Sequence, residues 1–225
     1  RYGQPVLHKT EGVPVAINVG DHLIGKGYQL LSQSPVDPDI LLEGLRMVSE
    51  SHLRLSEGQG ADILLNFDLF DKSVDDVLRI FQLKTGEAVK VALLSGAVLG
   101  KASGGDKKKL ELFSEYFGIA YQIRDDLNEF SEENSAENPY HFPFLLVLLR
   151  DKMLENEGVF PEFPGNDMVL LRRKILRHGI DVLAGNFLNL YISRCYSELD
   201  RLQNQKLRFG LYGIMGKVFK NTPGE

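Results

Sequence analysis

Cysteine is almost missing from this sequence: one residue, Cys195, in 225. A lone thiol excludes an internal disulfide framework and suits a reducing compartment. Positive charge is not in excess either. Lys and Arg number 26 against 31 Asp and Glu, a formal net charge of −5, which gives nucleic-acid binding no electrostatic footing. The longest lysine run, Lys107 to Lys109, is followed by Glu111 and reads as a solvated helix start. Long apolar runs are lacking: Phe142 to Leu149 falls far short of the ~20 residues that cross a bilayer. No signal peptide is visible, and the chain opens on Arg1 rather than Met, so its native N-terminus is expected upstream. A soluble, cytoplasmic protein is the expectation. Alternating β-branched residues are lacking as well, so no strand is predicted.

What is present is helical spacing. Hydrophobic residues make up 43% and charged residues 25% of the chain, enough to build a sizeable core. Val15, Val19, His22/Leu23, Lys26 and Leu30/Leu31 step at threes and fours, as do Leu41, Leu42, Leu45 and Val48. Residues 74–83 place Val74, Val77, Leu78 and Phe81 on one face, with Ser73 as N-cap and Asp76 in the first turn. Residues 84–101 show little polarity on any side, which predicts a helix buried all round. Residues 106–130 open with Asp106 as N-cap and carry the apolar stripe Leu110, Phe113, Phe117 and Ala120/Tyr121. Breaks are predicted at 34–38, 104–105, 131–143 and 161–167, and 168–219 reads as two further helices. The prediction is a single all-α domain over 1–225, a bundle of roughly seven to nine helices.

One helix carries an unusual density of acid. Gln122, Asp125, Asp126 and Glu129 share a face at helical spacing. Like charges so placed cost about 0.2–0.5 kcal/mol per pair, and Arg124 is the local residue that relieves them. An exposed acidic face is the plain reading of such a triplet. The run leading into it is strongly apolar, however, which turns the acids toward a core or cavity. Hard oxygen donors there suit Mg²⁺, which takes one or two carboxylates together with substrate phosphates. Lys84 and Thr85 offer an ammonium and a hydroxyl to phosphate oxygens. In Glu57-Gly58-Gln59-Gly60-Ala61-Asp62, two glycines within a helix cost about 1 kcal/mol each against Ala and point to close packing or ligand approach. Asp62 would then face inward. His22, His52 and His178 lack ligand partners at suitable spacing, so no zinc site is expected. Arg172, Arg173, Lys174 and Arg177 read as a solvated helix start, and Cys195 as buried packing.

Taken in order, these segments resemble the trans-isoprenyl diphosphate synthases, the polyprenyl synthetase family that includes farnesyl and geranylgeranyl diphosphate synthases. Arg1-Tyr2-Gly3-Gln4-Pro5-Val6-Leu7-His8 is similar to the family's Arg-Arg-Gly-x-Pro-x-x-His segment. Ala16 to Leu23 resembles its Ala-x-x-x-Gly-Asp-x-Leu helix, and Gly58-Gln59-Gly60-Ala61-Asp62-Ile63 its Gly-Gln-x-x-Asp-Leu. Lys84-Thr85-Gly86 matches the Lys-Thr-Gly/Ala motif, and Gln122 to Glu129 resembles the second aspartate-rich motif. The resemblance covers most of residues 1–150. It implies an isoprenoid-synthase-type helical bundle around a central cavity, with the family's N-terminal helices and first aspartate-rich motif lying before Arg1. It also implies prenyl transfer, in which an allylic diphosphate ionises with Mg²⁺ and isopentenyl diphosphate attacks the cation. Asp125, Asp126 and Glu129 would serve the metal. Arg1, Gln59, Asp62, Lys84, Thr85 and Gln122 would line the substrate site, and Lys84, Asp125 and Asp126 would be catalytic. A homodimer is implied as well. Tyr2 stands where the family has a second arginine, Glu129 where it has aspartate, and residues 131–143 lack its lysines. These departures also admit a divergent member without elongation, either terpene-cyclase-like or a non-catalytic regulatory subunit.

Overall fold

The computed structural model describes residues 5–131, 142–158 and 167–220. Among them every regular element is helical: α1 (Leu7–Thr10), α2 (Val13–Ser32), α3 (Pro38–Asp68), α4 (Val74–Phe81), α5 (Glu87–Leu99), α6 (Gly104–Ser131), α7 (Pro143–Glu157), α8 (Met168–Arg177), α9 (Ile180–Asp200) and α10 (Gln205–Phe219). A 3₁₀ turn, Leu69–Asp71, follows α3, and a π-helical turn, Gln82–Gly86, joins α4 to α5. The chain groups into two compact units, residues 1–49 and 50–225, with the boundary inside α3. In the first unit, Gly12 at φ 87° turns the chain into α2 and Pro14 sits in its first turn, where a missing N–H costs nothing. No residue of α2 is buried.

The core of the second unit forms around α6, which packs most extensively on α9 and also on α5 and the π turn. Leu110, Phe113, Ala120 and Ile123 of α6 are almost wholly buried, so the predicted stripe is the packed face. Buried leucines such as Leu145, Leu146 and Leu149 of α7 each stabilise by about 2 kcal/mol relative to exposure. Capping chemistry sets several helix starts. Ser73 Oγ accepts from the Asp76 amide and Asp76 Oδ2 from the Ser73 amide, closing the capping box of α4. Asp167 and Asn204 cap α8 and α10 by accepting from the Leu170 and Leu207 amides, without the reciprocal bond.

The helical path of α4 runs through the π turn into α5. Three expectations change. Helix α5 is not buried all round: Ala88, Ala92, Gly96 and Leu99 share an exposed face. All-round burial falls instead to the first half of α7, where every residue from Phe142 to Arg150 is buried. There the side chains are large and apolar on all sides, whereas the small residues of α5 present little surface to cover. Asp106 is not the N-cap of α6. The helix begins at Gly104, and Ser103 Oγ accepts from the Asp106 amide at 3.1 Å. Lastly, 168–219 forms three helices, since Gly179 at φ 63° ends α8 and Asn204 starts α10. No helix among the described residues is long and apolar enough to cross a membrane.

Candidate functional site

Lys84 and Thr85 lie in the π turn, which widens one turn of an otherwise continuous helix, a distortion that recurs at functional sites. Glycines on both neighbouring helices let that turn sit deep. A Cβ on Gly58 of α3 would fall 2.6 Å from the Lys84 amide nitrogen and from Leu83 Cβ. A Cβ on Gly118 of α6 would fall 2.3 Å from the Gly86 nitrogen and 2.5 Å from its Cα. No side chain fits either place. Gly60, by contrast, meets nothing within 4 Å, so of the two glycines in the Gly58–Asp62 motif only Gly58 is required by packing.

This close approach brings three helices' worth of polar groups together. Lys84 Nζ pairs with Asp62 Oδ2 at 2.8 Å, with both side chains about a quarter exposed: 25% and 23%. Gln122 Nε2 donates to Thr85 Oγ1 at 2.9 Å. A hydroxyl that accepts in this way keeps its own proton for donation. Gln59 is exposed on α3, one turn before Asp62. The predicted residues Lys84, Thr85, Asp62 and Gln122 are therefore joined in pairs across the turn. Arg1 lies outside the described residues, as do Tyr2 and positions 132–141 of the lysine-poor loop.

The paired aspartates of α6 have different surroundings. Asp125 Oδ1 accepts from Arg124 Nη2 at 2.9 Å, and its side chain is 36% exposed. Asp126 is only 4% exposed, and its Oδ2 accepts from the Phe144 amide at 2.9 Å. Burial pushes the Asp126 carboxyl well above the usual carboxylate range; the Phe144 amide opposes this and the Glu129 charge adds to it. Glu129 is half-buried one turn further on.

Two arginines hold the frame. Arg124 donates to the Val218 carbonyl of α10 at 2.5 Å and lies over the Tyr121 ring at 4.4 Å. Arg172 of α8 donates to the Phe130 carbonyl and, at 3.5 Å, to that of Glu129. It therefore caps the last carbonyls of the acid-bearing helix. The sequence reading placed Arg172 on a solvated start and missed this role. It also passed over Gly118, although an isolated glycine inside so apolar a helix was a usable signal.

Among the described residues, no three His, Cys, Asp or Glu side chains converge closely enough to hold a metal ion alone. Mg²⁺ does not need such a cage when phosphate oxygens complete its shell. Partly exposed Asp125 and half-buried Glu129, on the helix of Gln122, fit that mode. A cavity of about 500 Å³ lies elsewhere, between the end of α6, α8 and α9, lined by Leu127, Phe130, Leu176, Asp181 and Asn186 among others.

Comparison with known proteins bears on this geometry. The model of the polyprenyl synthetase family matches residues 1–139. A short chain isoprenyl diphosphate synthase of Methanothermobacter thermautotrophicus is 30% identical over 140 residues, 62% of this chain and 42% of the relative. A geranylgeranyl diphosphate synthase of Sulfolobus acidocaldarius is 30% identical over 129 residues, 56% of this chain and 39% of that one. The match thus spans less than half the length of these curated relatives. Among solved structures, geranylgeranyl pyrophosphate synthetase of Geoglobus acetivorans superimposes with a TM-score of 0.82 at 21% identity, covering 97% of this chain and 70% of the other. A decaprenyl diphosphate synthase of Rhodobacter capsulatus gives 0.82 at 17% identity, covering 100% and 72%. These two likenesses establish the shared all-α fold.

Proposed function

Because the chain belongs to the polyprenyl synthetase family, we propose that the full-length protein transfers a prenyl group from an allylic diphosphate to isopentenyl diphosphate, with Mg²⁺. The observation that carries this reading is the pairing of Lys84 with Asp62 and of Thr85 with Gln122, on helices that also present Asp125 and Glu129. The named relatives are synthases of isoprenyl and geranylgeranyl diphosphates, which supports the substrate class.

In this reading the allylic C–O bond breaks and the diphosphate leaves with the electron pair. The double bond of isopentenyl diphosphate then attacks the allylic cation, and a proton is lost. Lys84 and the Thr85 hydroxyl would donate to diphosphate oxygens, where negative charge grows as the bond breaks. Gln122 would orient Thr85 by occupying one acceptor position on its oxygen. Asp62 would steady the Lys84 ammonium, and Gln59, one turn before Asp62, would extend the substrate surface; Arg1 keeps only the substrate-binding role that the resemblance implies. Bound through Asp125 and Glu129, Mg²⁺ would supply further positive charge to the leaving group. A cytoplasmic homodimer fits the reading, and the exposed small-residue face of α5 is compatible with a second copy.

The test uses the full-length protein, Mg²⁺ and labelled geranyl or farnesyl diphosphate, with and without isopentenyl diphosphate. A longer prenyl diphosphate formed only with both substrates is the expected product. Release of an alcohol or hydrocarbon without the second substrate would point to a cyclase-like enzyme instead. Absence of turnover would point to a non-catalytic subunit.

A further inference from the structure

We infer that Asp126 is a positioning residue that docks the start of α7 onto α6 and so sets the Lys84 turn against the acidic face, rather than a ligand of the metal. The inference rests on the diphosphate reading above for its metal arm alone.

The start of α7 lacks a cap of its own. Phe142, the N-cap residue, makes no side-chain capping bond, and Pro143 at the first helical position has no N–H. The Phe144 amide is therefore the first donor in need of an acceptor. Asp126 Oδ2 supplies it from another helix at 2.9 Å, doing what a Ser or Asp N-cap does locally. The pair is closed to water, with Asp126 4% and Phe144 0% exposed.

Phe144 carries the placement onward. Its ring packs against Phe81 at a centroid distance of 6.2 Å and edge-on against Phe187 of α9 at 5.4 Å. Phe81 is the last residue of α4, directly before the π turn that bears Lys84 and Thr85. One hydrogen bond and one ring contact thus connect α6, beside Asp125, to the lysine turn. Asp125 stands differently, at 36% exposure, with open surface for a cation.

Two substitutions separate the roles. Asp126→Asn keeps an oxygen that can accept from Phe144 but removes the charge a cation needs, while Asp126→Ala removes both. In the full-length protein, Mg²⁺-dependent pyrophosphate binding is followed by calorimetry and exchange of the Phe144 amide by NMR. Asp126→Asn should leave the Mg²⁺ requirement and the slow Phe144 exchange as in the parent. Asp125→Asn should raise the Mg²⁺ requirement by about tenfold without touching Phe144. Asp126→Ala should speed Phe144 exchange by about fivefold to thirtyfold and lower prenyl-transfer turnover, which Asp126→Asn recovers. A raised Mg²⁺ requirement in Asp126→Asn with Phe144 still protected would make Asp126 a ligand and overturn the inference. So would unchanged Phe144 exchange in Asp126→Ala. If neither asparagine variant alters Mg²⁺-dependent binding, the metal reading of α6 fails, and Phe144 exchange still decides the role of Asp126. Should Asp126→Ala not fold, the Asp126→Asn measurements decide alone.

Discussion

Gly118 of α6 and Gly86 of the π turn meet backbone to backbone, so closely that a Cβ on Gly118 would lie 2.3 Å from the Gly86 nitrogen. The atoms in the way are main chain and cannot swing aside as a side-chain tip would. Gly118→Ala is expected to destabilise the fold by about 3 kcal/mol or more, the upper range of overpacking costs. Gly60→Ala, at a helical position with open space, is the control. It should be neutral or stabilising by up to about 1 kcal/mol. Urea denaturation midpoints of the two variants check both numbers.

Lys84 offers its ammonium at 25% exposure beside Asp62. Replacing it with alanine removes a charged donor from the diphosphate surface. Such bonds contribute about 1.5–3 kcal/mol, so Lys84→Ala should weaken Mg²⁺-pyrophosphate binding by about tenfold to a hundredfold. Calorimetric titration measures this directly. An unaltered affinity would remove Lys84 from the site.

Glu115 of α6 carries an acid that the fold disfavours. Burial first, and then the Glu111 charge, raise its carboxyl above the ordinary value of 4.5, while Lys108, Arg54 and Lys90 act in the opposite sense. The folded chain therefore holds this proton more tightly than the unfolded chain. Stability from this group is greatest below the unfolded value and falls as pH rises through to the raised folded value. Glu115→Gln, which stays neutral, should melt at a higher temperature than the parent at pH 7. The two should converge below about pH 3, where the parent side chain is protonated in both states. A lower melting temperature for Glu115→Gln at pH 7 would refute the sign.

Cys195 is 0% exposed, its Sγ lies 4.0 Å from the Phe113 carbonyl, and burial drives its thiol far above the ordinary range. Thiolate is the reactive form. A thiol reagent should therefore leave the native protein unmodified over hours and label it fully once unfolded. Fast labelling of the native state would place Cys195 at a surface.

Much of this was legible in the sequence where local chemistry decides the outcome. The capping box of Ser73 and Asp76, the stripe from Leu110 to Phe117 and the apolar character of the α6 approach follow from spacing alone. That Lys84, Thr85, Asp62 and Gln122 line one site was implied only by family resemblance, and their pairing as Lys84 with Asp62 and Thr85 with Gln122 was not legible, because 22 and 37 positions separate the partners and no local signal connects them. The different surroundings of Asp125 and Asp126 were not legible. Adjacent residues on a helix point about 100° apart, but which one meets solvent depended on where the Phe144 amide would arrive. The π turn was equally hidden, since Gln82–Gly86 departs from ordinary helix formers only at Thr85 and Gly86, which do not by themselves signal a widened turn. The exposed face of α5 escaped for a further reason: low polarity all round signals burial only when the side chains are large enough to demand it.

The most direct measurement compares the full-length protein with its Asp125→Ala variant in the labelled prenyl-transfer assay. Both are supplied with saturating Mg²⁺, an allylic diphosphate and isopentenyl diphosphate. The account expects a longer prenyl diphosphate from the parent and, from a folded variant, a turnover lower by about a hundredfold or more, as for loss of a group acting on transition-state charge. Equal product from Asp125→Ala and parent would contradict the site assigned to α6.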